Sequence, residues 1–145
     1  MIAEILATLA AAVFFGAALY VNLVEQPARL SLGTQLAVTE WRPSYKRGTR
    51  LQAPMALIGS VSALVAWLTN HDRGWAMGGL VFILVIPFTL IAIFPTNQRL
   101  ESQDLDISSD EATHLLRRWG RLHAVRSVLG GVALLIFLLA LSGRL

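Results

Sequence analysis

"WGRLHAVRSVLGGVALLIFLLAL", residues 119–141, carries two signals in one stretch. Its second half is an apolar run of the kind that crosses a bilayer as a helix, which takes roughly 20 residues. Its first half sets Trp119, His123 and Arg126 at spacings of four and three, which is one face of one helix. Gly130 follows one turn further along that stripe and leaves room for a neighbouring helix or a ligand. The stretch therefore sets the fold class and raises the question of why a histidine and an arginine share a face where a helix enters a membrane.

The rest of the chain agrees with the membrane reading. Of its 145 residues, 55% are hydrophobic and 14% charged, and the mean hydropathy is +0.61, too apolar for a soluble domain of this size. Cysteine is absent, which excludes disulfides, thiolate metal sites and cysteine nucleophiles. A pI near 10.2 would suggest nucleic acid in a soluble protein. Here the basic residues flank apolar segments, where they act as topology signals, and nucleic acid is discarded as a partner.

Four apolar segments stand out, at about Ile2–Val24, Leu51–Thr69, Trp75–Phe94 and Leu122–Leu141. The first has no basic region before it and carries Glu4, so it reads as a transmembrane helix rather than a secretory signal. Lys and Arg are divided unequally between the connections. Arg29, Arg42, Lys46, Arg47 and Arg50 lie between the first two segments, and Arg99, Arg117, Arg118, Arg121 and Arg126 between the last two or at the start of the fourth. Only Arg73 and Arg144 remain for the other side. Positive charge is retained in the cytoplasm, so both termini are expected outside, in the periplasm if the chain sits in a bacterial inner membrane.

The short turn "TNHDRG" (residues 69–74) makes the second and third helices antiparallel neighbours. In "QPARLSLGTQLAVTEWRPSYKRG" (26–48), Pro27 is expected to end or bend the first helix, with an amphipathic stretch along the membrane surface after it. Pro95 is expected to break the third helix. In "SSDEATHLLRRW" (108–119), serine capping and two acids in the first turn start a helix that runs straight into the fourth segment. No internal repeat is visible. The expectation is one all-α domain over residues 1–145, a four-transmembrane-helix bundle with amphipathic interfacial segments between helices 1 and 2 and before helix 4.

With this topology the unusual polar residues collect at the cytoplasmic end: Asn22, Glu25 and Gln26 from the first helix, Trp41, Tyr45 and Arg47 from the first connection, Gln52 from the second helix, Thr89 and Asn97 from the third, and Trp119, His123 and Arg126 from the fourth. Polar side chains at such depth are costly unless they face the bundle interior and find partners, so a convergent set is a candidate site. His123 can exchange a proton near neutral pH, Arg126 can hold an anion beside it, and Trp119 offers a flat wall. That combination suits an aromatic ligand that loses a proton and whose charge must then be held. Plainer readings stand beside these. Arg121 anchors the helix at the interface, Trp75 belongs to an aromatic belt, and Glu25 pairs with Arg47 or Arg126 to hold the bundle together. His123 makes a structural hydrogen bond, His71 and His114 are surface residues, and Pro87 is a kink near which Thr89 bonds the backbone.

"GAALYVNLVEQPAR", "WRPSYKRG", "PFTLIAIFPTNQRL" and "RWGRLHAVRS" together resemble the anthrone-oxygenase-like family of small four-helix membrane proteins, over nearly the whole chain. The best matched parts are Trp119-x-x-x-His123-x-x-Arg126 and the Pro95-Thr96-Asn97 after the third helix. The resemblance implies a membrane-bound oxygenase, a monooxygenase acting on an anthrone- or quinol-like aromatic with O2 and without a bound metal or flavin. Under that chemistry His123 is the base, Arg126 and Arg47 hold the phenolate or enolate oxygen, Asn97 and Tyr45 orient the substrate, and Trp119 and Trp41 pack against its rings, with Asn22 and Glu25 completing the site. No metal ligand set is expected, and no cofactor is favoured. Two other classes stay open: a haem protein with His123 as axial ligand, and a non-enzymatic protein gripping a lipid headgroup, a quinone-like molecule or an assembly partner. Gly78, Gly79, Gly130 and Gly131 permit close helix packing within the chain or in a homo-oligomer, and membrane lipid is an expected partner.

Overall fold

The computed structural model describes residues 1–145 and is all-helical. Four helices are long and apolar enough to span a membrane: α1 (Ile2–Ser31), α2 (Thr34–Asn70), α3 (Arg73–Glu101) and α4 (Asp110–Leu141). They run up-down-up-down around a square, α1 packing on α2 and α4, and α3 on α2 and α4, so that α1 and α3 are diagonal. Asn70 donates to the carboxylate of Glu4 at 2.9 Å, which ties the α2–α3 turn to the N-terminus. A Cβ added at Gly74 would touch both Ala140 and Leu145, so the C-terminus lies at the same end.

Local chemistry sets the boundaries. Gly33, at φ 82°, separates α1 from α2 in a conformation that disfavours any side chain. Asp72 caps α3 by accepting from the Gly74 amide at 2.7 Å. Ser109 caps α4 by accepting from the Ala112 amide at 3.2 Å, with Asp110 and Glu111 in the first turn, where carboxylates complement the helix dipole. Asp106, in the loop before it, has its carboxyl held below the usual range, chiefly by the Ser108 hydroxyl and also by the Ser108 amide.

The helices are longer than the apolar segments. The stretch after Gly33 is helical and belongs to one uninterrupted α2, Pro43 and Pro54 included. Neither Pro27 nor Pro95 ends its helix. A proline ring inside a helix collides with the carbonyl four residues back and removes one backbone donor. Here each collision is relieved by a widened π-turn, Val21–Glu25 in α1 and Thr89–Ile93 in α3. The residue before each proline bonds five residues back instead of four, Gln26 to the Val21 carbonyl and Phe94 to the Thr89 carbonyl. Both openings fall at the end away from the termini, on diagonal helices.

Towards the termini the bundle closes by setting phenylalanine rings onto glycines. A Cβ at Gly78 would lie 2.5 Å from the Phe137 ring, one at Gly130 2.8 Å from Phe14 and one at Gly131 2.8 Å from Phe15. Gly130 thus makes room for a neighbouring helix. Trp75 is a core residue and not part of a belt: it is 1% exposed and stacks on Phe137 with centroids 5.4 Å apart, filling the space beside the small residues Gly74 and Ala140.

Candidate functional site

At the end away from the termini the same four helices leave a cavity of about 600 Å³, within the roughly 300–1,000 Å³ of small-molecule sites. Its wall takes Tyr20, Val21 and Glu25 from α1, Glu40, Ser44, Tyr45, Arg47, Gly48, Leu51 and Gln52 from α2, Ile93 and Asn97 from α3, and Trp119, His123 and Arg126 from α4. Seven of the nine residues singled out in the sequence line it: His123, Arg126, Trp119, Asn97, Tyr45, Arg47 and Glu25. Asn22 and Trp41 stand behind the wall.

Asn22 holds His123 from behind. Its amide nitrogen donates to the Gly120 carbonyl at 3.2 Å, a group that only accepts, so the amide oxygen must be the end facing His123. That oxygen lies 2.8 Å from His123 Nδ1 and also accepts from the Ser127 hydroxyl at 2.6 Å. Nδ1 therefore carries the hydrogen, and the lone pair sits on Nε2. Asn22 sits in the widened turn Val21–Glu25 of α1. One turn on, Gln26 donates to the Leu116 carbonyl at 2.9 Å and extends the same seam.

Trp41 is the middle of an aromatic chain. It stacks on Tyr45 with centroids 4.8 Å apart and planes at 2°, and meets Trp119 edge to face at 5.7 Å. Trp119 stacks on the His123 ring at 4.8 Å. The wall beside the imidazole is thus a continuous set of rings from α2 to α4, with Trp41 wholly buried at its centre.

Charge is distributed unevenly around the cavity. Glu25 pairs with Arg29 on its own helix and accepts from Ser44, not with Arg47 or Arg126. Arg29 also pairs with Glu40 of α2, donates to Gln26 at 2.6 Å and lies over the Trp119 ring at 5.7 Å. Its side chain is 1% exposed, and two carboxylates are what make burying it tolerable. Arg126 has no such partner. No carboxylate lies within ion-pair distance of it, its Nε is buried without a hydrogen bond, and its guanidinium rests over Phe14 at 5.0 Å. Asn97 Oδ1 and Gln52 Oε1, both on cavity residues, are likewise buried and unpartnered. Such groups cost free energy in the unliganded protein and form strong contacts with any ligand that satisfies them. No cluster of three His, Asp or Glu is close enough to hold a metal ion. His114 is exposed on the outer face and His71 lies in the α2–α3 turn at the opposite end, so no second histidine faces His123.

A sequence profile of the anthrone oxygenase family matches residues 41–136, about two thirds of the chain and every α2, α3 and α4 residue just described except Glu40. The chain belongs to the anthrone oxygenase family. The anthrone oxygenase ptaC of Pestalotiopsis fici is 30% identical over 105 residues, 61% of this chain and 73% of that protein. An anthrone oxygenase of Claviceps purpurea is 25% identical over 138 residues, 83% of this chain and 78% of that protein. No solved structure matches the chain. The family profile begins after α1 and so does not cover Asn22, Glu25 or Arg29 of this anthrone oxygenase family member.

Glu40, Ser44 and Ser127 are site residues that the sequence did not single out, whereas it places Arg29 and Gln52 at the cavity end without a role. The i,i+4 spacing of Glu25 and Arg29 could have signalled their pairing. Glu40 and Ser44 join it only because α2 starts before the membrane and folds back along α1.

Proposed function

We propose that this chain is a membrane-embedded oxygenase that removes a proton from a flat, weakly acidic aromatic of the anthrone or quinol type and lets the resulting anion react with O2. The observation that carries this reading is His123: its Nδ1–H is held by Asn22, which leaves Nε2 free as a base three residues from an arginine with no counter-ion.

For an anthrone the steps balance without a further redox partner. His123 takes a proton from the methylene carbon, and the electron pair moves through the ring to the carbonyl oxygen, where Arg126 meets the negative charge. The carbanion gives an electron to O2, the radical pair joins, and a new C–O bond forms with the O–O bond intact. The peroxide takes the proton back from His123. His123 then removes the second hydrogen of the same carbon, a C=O forms as the O–O bond breaks, and the departing hydroxide takes that proton to leave as water. One oxygen atom of O2 enters the quinone and the other becomes water. Base and cation on one helical face allow deprotonation and charge stabilisation together, and the face of Trp119 favours the transient imidazolium. Asn97 Oδ1 and Gln52 Oε1 accept from substrate hydroxyls, while Tyr45 and Arg47 orient its outer edge.

Arg29, Arg42, Lys46, Arg47 and Arg50, with Arg99, Arg117, Arg118, Arg121 and Arg126, lie at the cavity end. This bias supports placing that end at the cytoplasmic face of the membrane and both termini outside.

The test is oxygen uptake and quinone formation with 1,8-dihydroxyanthrone in detergent, for the wild type, His123→Ala and a protein-free control. Enzyme-dependent uptake, lost in His123→Ala with the fold intact by circular dichroism, is the expected outcome. Uptake no faster than the spontaneous oxidation of the free anthrone, or a His123→Ala variant as active as wild type, overturns the assignment.

A further inference from the structure

The cavity is not walled equally on its four seams. Between α1 and α4, Asn22 and Gln26 bond to the Gly120 and Leu116 carbonyls. Between α2 and α3, Arg42 donates to the Leu100 and Ser102 carbonyls, each at 3.0 Å. Between α3 and α4, Arg99 forks onto Glu111 at 2.6 and 2.9 Å. Between α1 and α2 the polar ties are those of Glu25 with Ser44 and of Arg29 with Glu40 and Ser44, and, at the far end of the bundle, Asn70 with Glu4. Between these two levels Tyr20 and Val21 of α1 and Gly48 and Leu51 of α2 line the cavity with no hydrogen bond from one helix to the other.

Three further observations meet at this seam. Tyr20 and Leu51 line the cavity while being 58% and 47% exposed on the outer surface, so the cavity reaches the outside between them. Val21, where the π-turn begins, is only half-buried although it packs against the cluster around Trp41 and Trp119, so it does not fill the seam. A Cβ at Gly48 would meet nothing closer than the Gln52 amide nitrogen at 4.0 Å, unlike Gly59, Gly78 and Gly130, where a phenylalanine ring occupies the space. Gly48 therefore does not serve helix packing. It keeps a gap open.

The gap lies at the edge of the membrane. At ~1.5 Å per residue, Tyr20 is about 27 Å along α1 from Ile2, close to the ~30 Å thickness of the hydrocarbon core. Its upper lip is Ala17, Tyr20 and Leu51, and its lower lip Glu25, Arg47 and Thr49. A flat molecule with an apolar body and one acidic hydroxyl or enol rests at that depth, apolar side in the hydrocarbon and polar edge in the headgroups.

We infer that the α1–α2 seam at Tyr20, Val21, Gly48 and Leu51 is a lateral portal through which an amphiphilic, weakly acidic polycyclic aromatic passes from the bilayer to the cavity, and that Gly48 is the residue that keeps it open. The inference deepens the oxygenase reading and rests on it for the chemical class of the ligand. Arg47 at the lower lip meets the acidic edge first and Arg126 at the back of the cavity receives it, so the ligand enters polar edge leading.

The chain has no cysteine, so Gly48→Cys creates a single labelling site. The variant is reconstituted in phosphatidylcholine vesicles and treated with benzyl methanethiosulfonate, a bulky label removed again by dithiothreitol. Leu80→Cys, on α3 and 64% exposed, is the control. Two readouts are taken: oxygen uptake with 1,8-dihydroxyanthrone, and the stopped-flow rate at which 1,8-dihydroxyanthraquinone quenches tryptophan fluorescence. The label at position 48 is expected to slow quenching and lower kcat/KM at least tenfold, reversibly, with no change for labelled Leu80→Cys. A labelled Gly48→Cys protein that binds and turns over at its unlabelled rate overturns the portal. If the unlabelled variant and wild type take up no oxygen yet still quench, the oxygenase reading fails alone and the binding rate decides the portal. If 1,8-dihydroxyanthraquinone quenches neither form, the aromatic-ligand premise falls and the portal with it.

Discussion

Near the termini, Phe137 lies on Gly78, Phe82 on Gly59 and Phe14 on Gly130, with alanines Ala7, Ala11, Ala63 and Ala133 between them. At the other end the same helices enclose about 600 Å³, around which Arg126 Nε, Asn97 Oδ1 and Gln52 Oε1 have no partners. The first arrangement is what helices in lipid require: the surroundings are as apolar as the side chains, so close approach over small residues supplies the attraction. The second gives up packing and leaves buried polar groups unsatisfied, which is destabilising unless something else binds there. The bundle is held at one end and open for chemistry at the other. Widened turns before Pro27 and Pro95 mark where one regime passes into the other.

Substitutions at the two ends should therefore separate stability from activity. The largest expected effect is His123→Ala, which lowers kcat for 1,8-dihydroxyanthrone by about 100- to 10,000-fold, the range for loss of a positioned general base, with the helical fold retained by circular dichroism. Asn22→Leu is next. It frees the His123 ring and leaves buried partners unpaired at a cost of about 1–3 kcal/mol, on the order of tenfold or more in kcat. Because the Nδ1 partner is lost, the pH–rate profile should also be displaced, which a purely structural role for Asn22 would not produce.

At the packed end the signs reverse. Gly78→Leu drives a side chain into the Phe137 ring and should destabilise the fold by about 1–3 kcal/mol, with kcat per folded molecule unaffected. Asn97→Leu tests the contrast most directly: removing an unpartnered buried amide should leave the unliganded protein as stable or up to about 1 kcal/mol more stable, while KM rises. A large loss of stability in Asn97→Leu would mean that the open end is held together by its polar groups, and the contrast would break. The smallest effect belongs to Asp106→Asn. The Asp106 carboxyl titrates below its ordinary value because Ser108 bonds the charged form. Its contribution to stability is therefore present above the ordinary carboxylate value and is lost only as the pH falls through its lower folded value. The carboxyl is fully exposed, so thermal melts near neutral pH should barely distinguish the variant.

What the sequence alone determined about this protein was whatever depends on the order of residues along one helix. Apolar runs of bilayer length required four membrane helices, "TNHDRG" required an antiparallel turn, Ser109 with Asp110 and Glu111 announced the start of α4, and the four-three spacing put Trp119, His123 and Arg126 on one face. The tertiary structure decided what depends on two helices meeting. It moved Asn22 and Trp41 from the cavity wall to the layer behind it and gave Glu25 to Arg29. It buried Trp75, carried α1 through Pro27, expected to end or bend it, and α3 through Pro95, expected to break it, and brought Glu40 and Ser44 to the cavity. The physical reason is that a helical face follows from periodicity within a segment, whereas a hydrogen-bond partner, an orphaned amide or an open seam follows from the rotation and depth of one helix against another.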